Sequence, residues 1–160
     1  MLDRRTFFLA GTALAGAAAF GFALSAKAAE GDFPFVLSDD EWRERLTDMQ
    51  YYVLREHGTE RAFTSELDGF YEPGTYHCAG CDQALYSSEA KYDSRTGWPS
   101  FWEALPGAIG TSQDTSFGMT RTECHCSNCG GHQGHIFNDG PEPTGDRHCI
   151  NGVALKFVAA

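Results

Sequence analysis

The sequence predicts a mainly β domain of antiparallel strands preceded by one N-terminal helix. Three observations carry that expectation. A stretch between Ser38 and Gly58 has helical periodicity. Beyond Gly58 the chain breaks into short segments punctuated by Gly, Pro, Asp and Ser. A content of 18 glycines and 13% aromatic residues suits a turn-rich sheet protein better than a helical bundle.

At 160 residues, with 42% hydrophobic and 21% charged side chains, the chain has room for one globular domain and a short appendage, and its composition excludes a mainly disordered protein. The formal net charge of −10 repels phosphate backbones and argues against a nucleic-acid partner.

The appendage comes first. Met1 to Ala28 places Arg4 and Arg5 before Phe7 and Phe8, then runs through an apolar Ala/Gly-rich stretch to Ala26-Lys27-Ala28. Those are the charged region, hydrophobic region and A-x-A cleavage site of an export signal, and the paired arginines point to the twin-arginine route and a periplasmic destination. A retained membrane anchor is the competing reading, but the run is weakly hydrophobic for a transmembrane helix. Cleavage after Ala28 leaves an exported acidic domain with no stable membrane insertion. Residues 29–37 read as a linker and 38–160 as the domain.

Ser38 followed three residues later by Glu41 forms a capping box. Trp42, Leu46, Met49 and Val53 continue at helical spacing, which predicts one amphipathic helix over 39–56 with Gly58 as its stop and with Trp42 and Met49 in the core. Short strands follow at Ala84–Ser87, Ser116–Cys124, His135–Phe137 and Cys149–Val158. Gly130-Gly131, Asn138 to Pro141 and Asn151-Gly152 read as turns or bulges.

The six cysteines sort by spacing. Cys78-Ala-Gly-Cys81 and Cys126-Ser-Asn-Cys129 are two C-x-x-C pairs, each setting two sulfurs on one tight turn. Together they supply the four-sulfur set that Zn²⁺ takes in a closed structural site. The wide gap between them means that such a metal would clamp two distant loops. Disulfides are the competing reading in an oxidising compartment. A thioredoxin-like redox C-x-x-C is another, though no βαβ pattern accompanies either pair.

Cys124 and Cys149 remain. Cys149 is flanked by Arg147 and His148, cationic neighbours that favour a thiolate, and it is the best candidate nucleophile. An inert cysteine on a strand is the alternative. His132 and His135 could stabilise a thiolate or donate a proton, or serve as metal ligands or turn residues. His57, His77 and His125 have no such context and read as surface or supporting groups. Trp98, ahead of Pro99, is restricted in backbone and reads as a rigid wall suited to a small apolar group, among the neighbouring aromatics Tyr92, Phe101 and Trp102.

Taken in order, these pieces resemble a B-type peptide-methionine (R)-S-oxide reductase of the zinc-containing form, from about Ser38 to Phe157. The resemblance is carried by Tyr76-His77-Cys78 with Cys81, Lys91 to Ser94, Gly97-Trp98-Pro99-Ser100-Phe101, Gly118-Met119 and Arg121-Thr122-Glu123. It continues through Cys126 and Cys129, Gly134 to Phe137, Asp139-Gly140-Pro141 and Arg147 to Asn151. It implies two antiparallel sheets and one structural zinc on Cys78, Cys81, Cys126 and Cys129. It also implies Cys149 as nucleophile, with His132, His135 and Asn151 beside it, and Trp98, Phe137, Asp139 and Arg147 binding substrate. The implied activity is thiol-dependent repair of the R epimer of methionine sulfoxide in oxidised proteins or peptides, through a Cys149 sulfenic acid.

The chain departs from that pattern at three positions. Thr96 stands where many relatives carry a recycling cysteine, Cys124 where an aliphatic residue is common, and His148 where an aromatic is usual. Either Cys124 resolves the sulfenic acid before a thioredoxin-like partner reduces the disulfide, or an external thiol reduces Cys149 directly. Readings from other classes are a zinc-stabilised binding module without chemistry and a disulfide oxidoreductase working through a C-x-x-C pair.

Overall fold

A computed structural model describes residues 31–160; the expected export signal at 1–28 lies outside them. From Phe33 onward the expected linker lies against the body of the domain. The Phe35 N–H donates to the Asn128 carbonyl at 2.8 Å, and the Phe35 ring packs on Trp42.

The single expected helix is two: α1 at Asp39–Arg45 and α2 at Asp48–Glu56. Leu46 turns to extended backbone and Thr47 opens a second capping box with Gln50, so the local N-cap chemistry interrupts a periodicity that runs straight through it. The break moves Met49 off the buried stripe. It is 48% exposed, whereas Trp42 and Val53 are in the core as expected. His57, rather than Gly58, takes the left-handed position that ends α2, while the Gly58 N–H donates to the Tyr52 carbonyl.

The body is two antiparallel sheets. A three-stranded sheet contains β1 (Gly74–Cys78), β2 (Ala84–Ser87) and β9 (Leu155–Ala159) in the order β2-β1-β9. A six-stranded sheet contains β3 (Lys91–Tyr92), β4 (Ser100–Phe101), β5 (Ile109–Asp114), β6 (Arg121–Cys126), β7 (His132–Phe137) and β8 (Arg147–Ile150). Its order is β3-β4-β8-β7-β6-β5. The expected strand at Ser116–Cys124 begins later, because Ser116–Gly118 form a 3-10 turn. The expected final strand divides into β8 and β9, which belong to different sheets and are separated by the 3-10 turn Gly152–Ala154. Among the described residues no helix is long and apolar enough to cross a membrane.

The core lies between the sheets. Tyr76 and Tyr86 of the small sheet pack on Phe101 of the large one, with ring centroids 5.0 and 4.3 Å apart. Strand register assigns the faces, since directly opposed residues point the same way. Phe101, His148 and Ile136 form one row across the large sheet, and Cys124, Gly134 and Ile150 form another on the same inner face. Ser100, Cys149, His135 and Glu123 line up on the opposite, outer face.

Candidate active site

Cys149 sits in the middle of β8 on that outer face, half-buried, and opens into a cleft lined also by Thr59, Trp98, Arg121, His135, Phe137 and Asn151. Five of the expected site residues are therefore gathered at one opening. Trp98 is held by its indole N–H, which donates to the Glu60 carbonyl at 3.1 Å. Gly97 before it adopts φ 86 with the Phe63 ring close by, an arrangement that leaves no room for a side chain.

The floor of the cleft depends on Gly134. A Cβ there would meet the Cys149 carbonyl oxygen at 2.0 Å, so only glycine lets β7 approach β8 closely enough to set His135 beside the sulfur. The His135 Nε2–H donates to Asp114 Oδ2 at 2.7 Å. Burial pulls the His135 pKa below its ordinary value, and the Asp114 carboxylate opposes that shift. Burial works against the charged form of Asp114 as well, but hydrogen bonds from Ser116, His135 and Arg121 outweigh it and hold the carboxyl well below its usual range.

Arg147 and Asp139, expected to bind substrate, are not part of the cleft lining but pair beside its Phe137. The guanidinium is bidentate on the carboxylate at 2.8 and 2.9 Å and lies over the Phe137 ring. Burial raises the Cys149 pKa, while Arg147 and the Thr96 hydroxyl, 4.0 Å from the sulfur, favour the thiolate. His148 does not contribute as expected. It points to the inner face, where burial lowers its pKa and its Nδ1 lies 3.3 Å from the Tyr86 hydroxyl.

One expected catalytic residue is placed differently. His132 does not line the cleft. A bulge between Cys124 and His125 in the β6–β7 register turns it to the outer face, where it is 1% exposed. There it donates to Glu123 at 2.8 Å, one ring behind His135. Asn151 lines the cleft as expected and is anchored there: Nδ2 donates to the Gln133 carbonyl at 3.0 Å and Oδ1 accepts from the Glu60 N–H at 2.9 Å, which leaves one amide hydrogen and one lone pair over.

Cys124 is fully buried on the inner face, its sulfur 3.5 Å from the Tyr86 hydroxyl, and burial pushes its pKa up to about 12.

The four remaining cysteines meet at the other end of the large sheet. Their sulfurs all lie within 4.8 Å of one another, with Cys78–Cys129 at 3.7 Å and Cys81–Cys126 at 3.5 Å. A tetrahedral ion with bonds near 2.3 Å needs sulfurs about 3.8 Å apart, so this donor set fits zinc. Both knuckles use one backbone pattern. The Asp82 and Gly130 N–H groups each donate at 2.9 Å to the first cysteine carbonyl of their pair, and both residues are left-handed, at φ 64 and 67. Gln133 connects the two centres: its side-chain amide points to Cys78 Sγ at 3.6 Å, and its carbonyl receives both the N–H and Nδ2 of Asn151.

This arrangement covers most of the stretch that matches the SelR domain, residues 46–159. The chain belongs to the MsrB family. It is 54% identical over 121 residues to the peptide methionine sulfoxide reductase MsrB of Agrobacterium fabrum, covering 75% of this chain and 90% of that protein. It is 53% identical over 121 residues to the protein of that name from Leptospira interrogans, covering 75% and 92%. With the one from Bradyrhizobium diazoefficiens it shares 48% over 133 residues, covering 82% and 96%.

Several residues of this MsrB-family site escape a reading of the sequence. Asp114 and Arg121 come from strand ends that meet only in the sheet, where they pair at 2.6 Å. Glu60 is a buried carboxylate in an irregular segment, accepting from the Gly152 and Val153 N–H groups. A charged residue beside Gly58-Thr59 carries no signal for that role. The histidines given no role at 57 and 125 gather with His132 around Glu123.

Proposed function

We propose that this chain reduces the R epimer of methionine sulfoxide in oxidised proteins or peptides, with Cys149 as nucleophile. One observation carries the reading: a half-buried thiol opens into a cleft that has an aromatic wall on one side and an anchored imidazole on the other. In this reading Trp98 and Phe137 take the methyl group, and the sulfoxide oxygen faces His135. The mirror epimer would turn its oxygen against the rings, where it has no partner.

The Cys149 thiolate attacks the sulfoxide sulfur while the His135 imidazolium delivers a proton to the oxygen. In net balance a thiol and a sulfoxide become a sulfenic acid on Cys149 and a thioether: the thiol is oxidised, the sulfoxide is reduced, and the oxygen leaves with the cysteine. An external thiol then attacks the sulfenic sulfur and expels water. A second thiol releases Cys149 and departs as the disulfide. The hydroxyl of Thr96 near the sulfur and the inward position of Cys124 support an external reductant, either a thioredoxin-like protein or a small thiol.

Cys78, Cys81, Cys126 and Cys129 would hold one Zn²⁺, which supplies a cross-link between the β1–β2 and β6–β7 turns and no step of the reaction. Export by the twin-arginine route, with removal of residues 1–28, completes the proposal, and N-terminal sequencing of the exported protein tests it.

An assay that resolves the sulfoxide epimers, with dithiothreitol and then thioredoxin as donor, tests the activity. Turnover of the R epimer that vanishes in Cys149→Ser is the expected result. Equal use of both epimers, or turnover surviving Cys149→Ser, overturns the proposal.

A further inference from the structure

Behind the cleft, on the outer face of the six-stranded sheet, a second group of metal-ligating side chains shares no residue with the cysteine set. His57 at the end of α2, Glu123 in β6 and His132 in β7 bring one ligand atom each to within 4.8 Å of one another. His57 Nδ1 is 3.3 Å and His132 Nδ1 2.8 Å from the same carboxylate oxygen, and the two imidazoles stack at 5.0 Å. His125 adds a buried Nδ1 that lies 3.8 Å from the other carboxylate oxygen.

The group gathers around one buried carboxylate, which also accepts from the Ser112 hydroxyl. Glu123 is 2% exposed, and among the described residues its ion-pair partners are all histidines. A divalent cation held by the carboxylate and the imidazoles would cancel the buried negative charge directly. Bonds of about 2.1 Å to nitrogen and oxygen place neighbouring ligand atoms about 3.0–3.5 Å apart, close to the spacings found here. Two imidazoles and one carboxylate suit first-row divalent ions and leave further positions for water. The partly exposed His57 gives an ion its way in.

We propose that His57, Glu123 and His132 form a second transition-metal site, separate from the four cysteines and selective for ions that favour imidazole and carboxylate, such as Ni²⁺. The proposal does not depend on the reductase reading, and binding alone tests it.

Tag-free full-length protein, given one equivalent of zinc for the cysteine set, is titrated with Ni²⁺ by calorimetry, and stoichiometry is checked by elemental analysis. One further Ni²⁺ per chain is expected. His57→Asn keeps a residue that tolerates the left-handed backbone (φ 55) while removing the imidazole, and it weakens binding about tenfold or more. Glu123→Gln weakens it likewise, and Cys149→Ser leaves it unchanged. The site is overturned if the unsubstituted protein takes up no stoichiometric Ni²⁺, if His57→Asn binds as tightly, or if Cys149→Ser abolishes binding.

Discussion

Cys124 and Cys149 lie in the same sheet with their sulfurs on opposite faces, two strands apart. Cys124 opposes Gly134 and Ile150 on the inner face, whereas Cys149 opposes His135 and Glu123 on the outer one. Two strand spacings are about 10 Å, and a disulfide needs α-carbons within about 7 Å. Pairing these cysteines would require the sheet to come apart.

Peptide mapping of the sulfoxide-treated protein is therefore expected to find Cys149 as a sulfenic acid or a mixed disulfide with added thiol, with no Cys124–Cys149 bridge. Cys124→Ala is expected to keep full turnover with dithiothreitol and to cost only about 1 kcal/mol of stability from the small cavity it leaves.

Arg147 favours the ionised form of Cys149, and burial opposes it. Replacing Arg147 with Gln removes the favourable charge and leaves the burial, so the thiol pKa rises further. Alkylation of Cys149 by iodoacetamide, followed across pH, is expected to show a midpoint above that of an exposed cysteine and a higher one in Arg147→Gln. A midpoint that moved down would contradict the role given to Arg147.

His135 and Cys149 share one proton in the reactive state. A thiolate with an imidazolium holds as many protons as a thiol with a neutral imidazole, so the rate stays level between the two pKa values. Asp114 supports the imidazolium, and its loss lowers the His135 pKa further. Asp114→Asn is expected to move the acid limb of kcat/KM to lower pH and to reduce the plateau roughly tenfold. His135→Ala is expected to lose about 10²–10⁴ in kcat/KM and to lose the basic limb, leaving a rate that rises with pH toward the raised pKa of Cys149.

Zinc on the cysteine cluster, as proposed, would tie β1–β2 to the turn between β6 and β7. Cys81→Ser is expected to lower zinc content and to reduce the melting temperature by more than about 10 °C, read by calorimetry alongside metal analysis. Unchanged melting with lost zinc would show the clamp to be unimportant for stability.

The parts of this molecule visible in its sequence are those whose signal is local. Each C-x-x-C pair is a single turn, so its spacing declares its geometry, and Ser38 with Glu41 marks the start of α1. Thr47 and Gln50 carry the same signal for α2, but they sit inside a continuous apolar periodicity that hides the break. The β5 strand is a polar run, Ile-Gly-Thr-Ser-Gln-Asp, on the edge of the sheet, where one paired neighbour and an exposed surface leave no alternating pattern to read. The placing of His132 and His135 on one face depends on a bulge, which strand pairing decides and spacing does not. Asp114 reaches His135 only after three strands have assembled.

Gln133 gives the molecule a property that neither of its centres has alone. One residue touches Cys78 with its side chain and fixes Asn151 with its carbonyl. If zinc occupies the cysteines as proposed, its removal is expected to be felt at Asn151 through this one residue, so metal content and turnover should fall together.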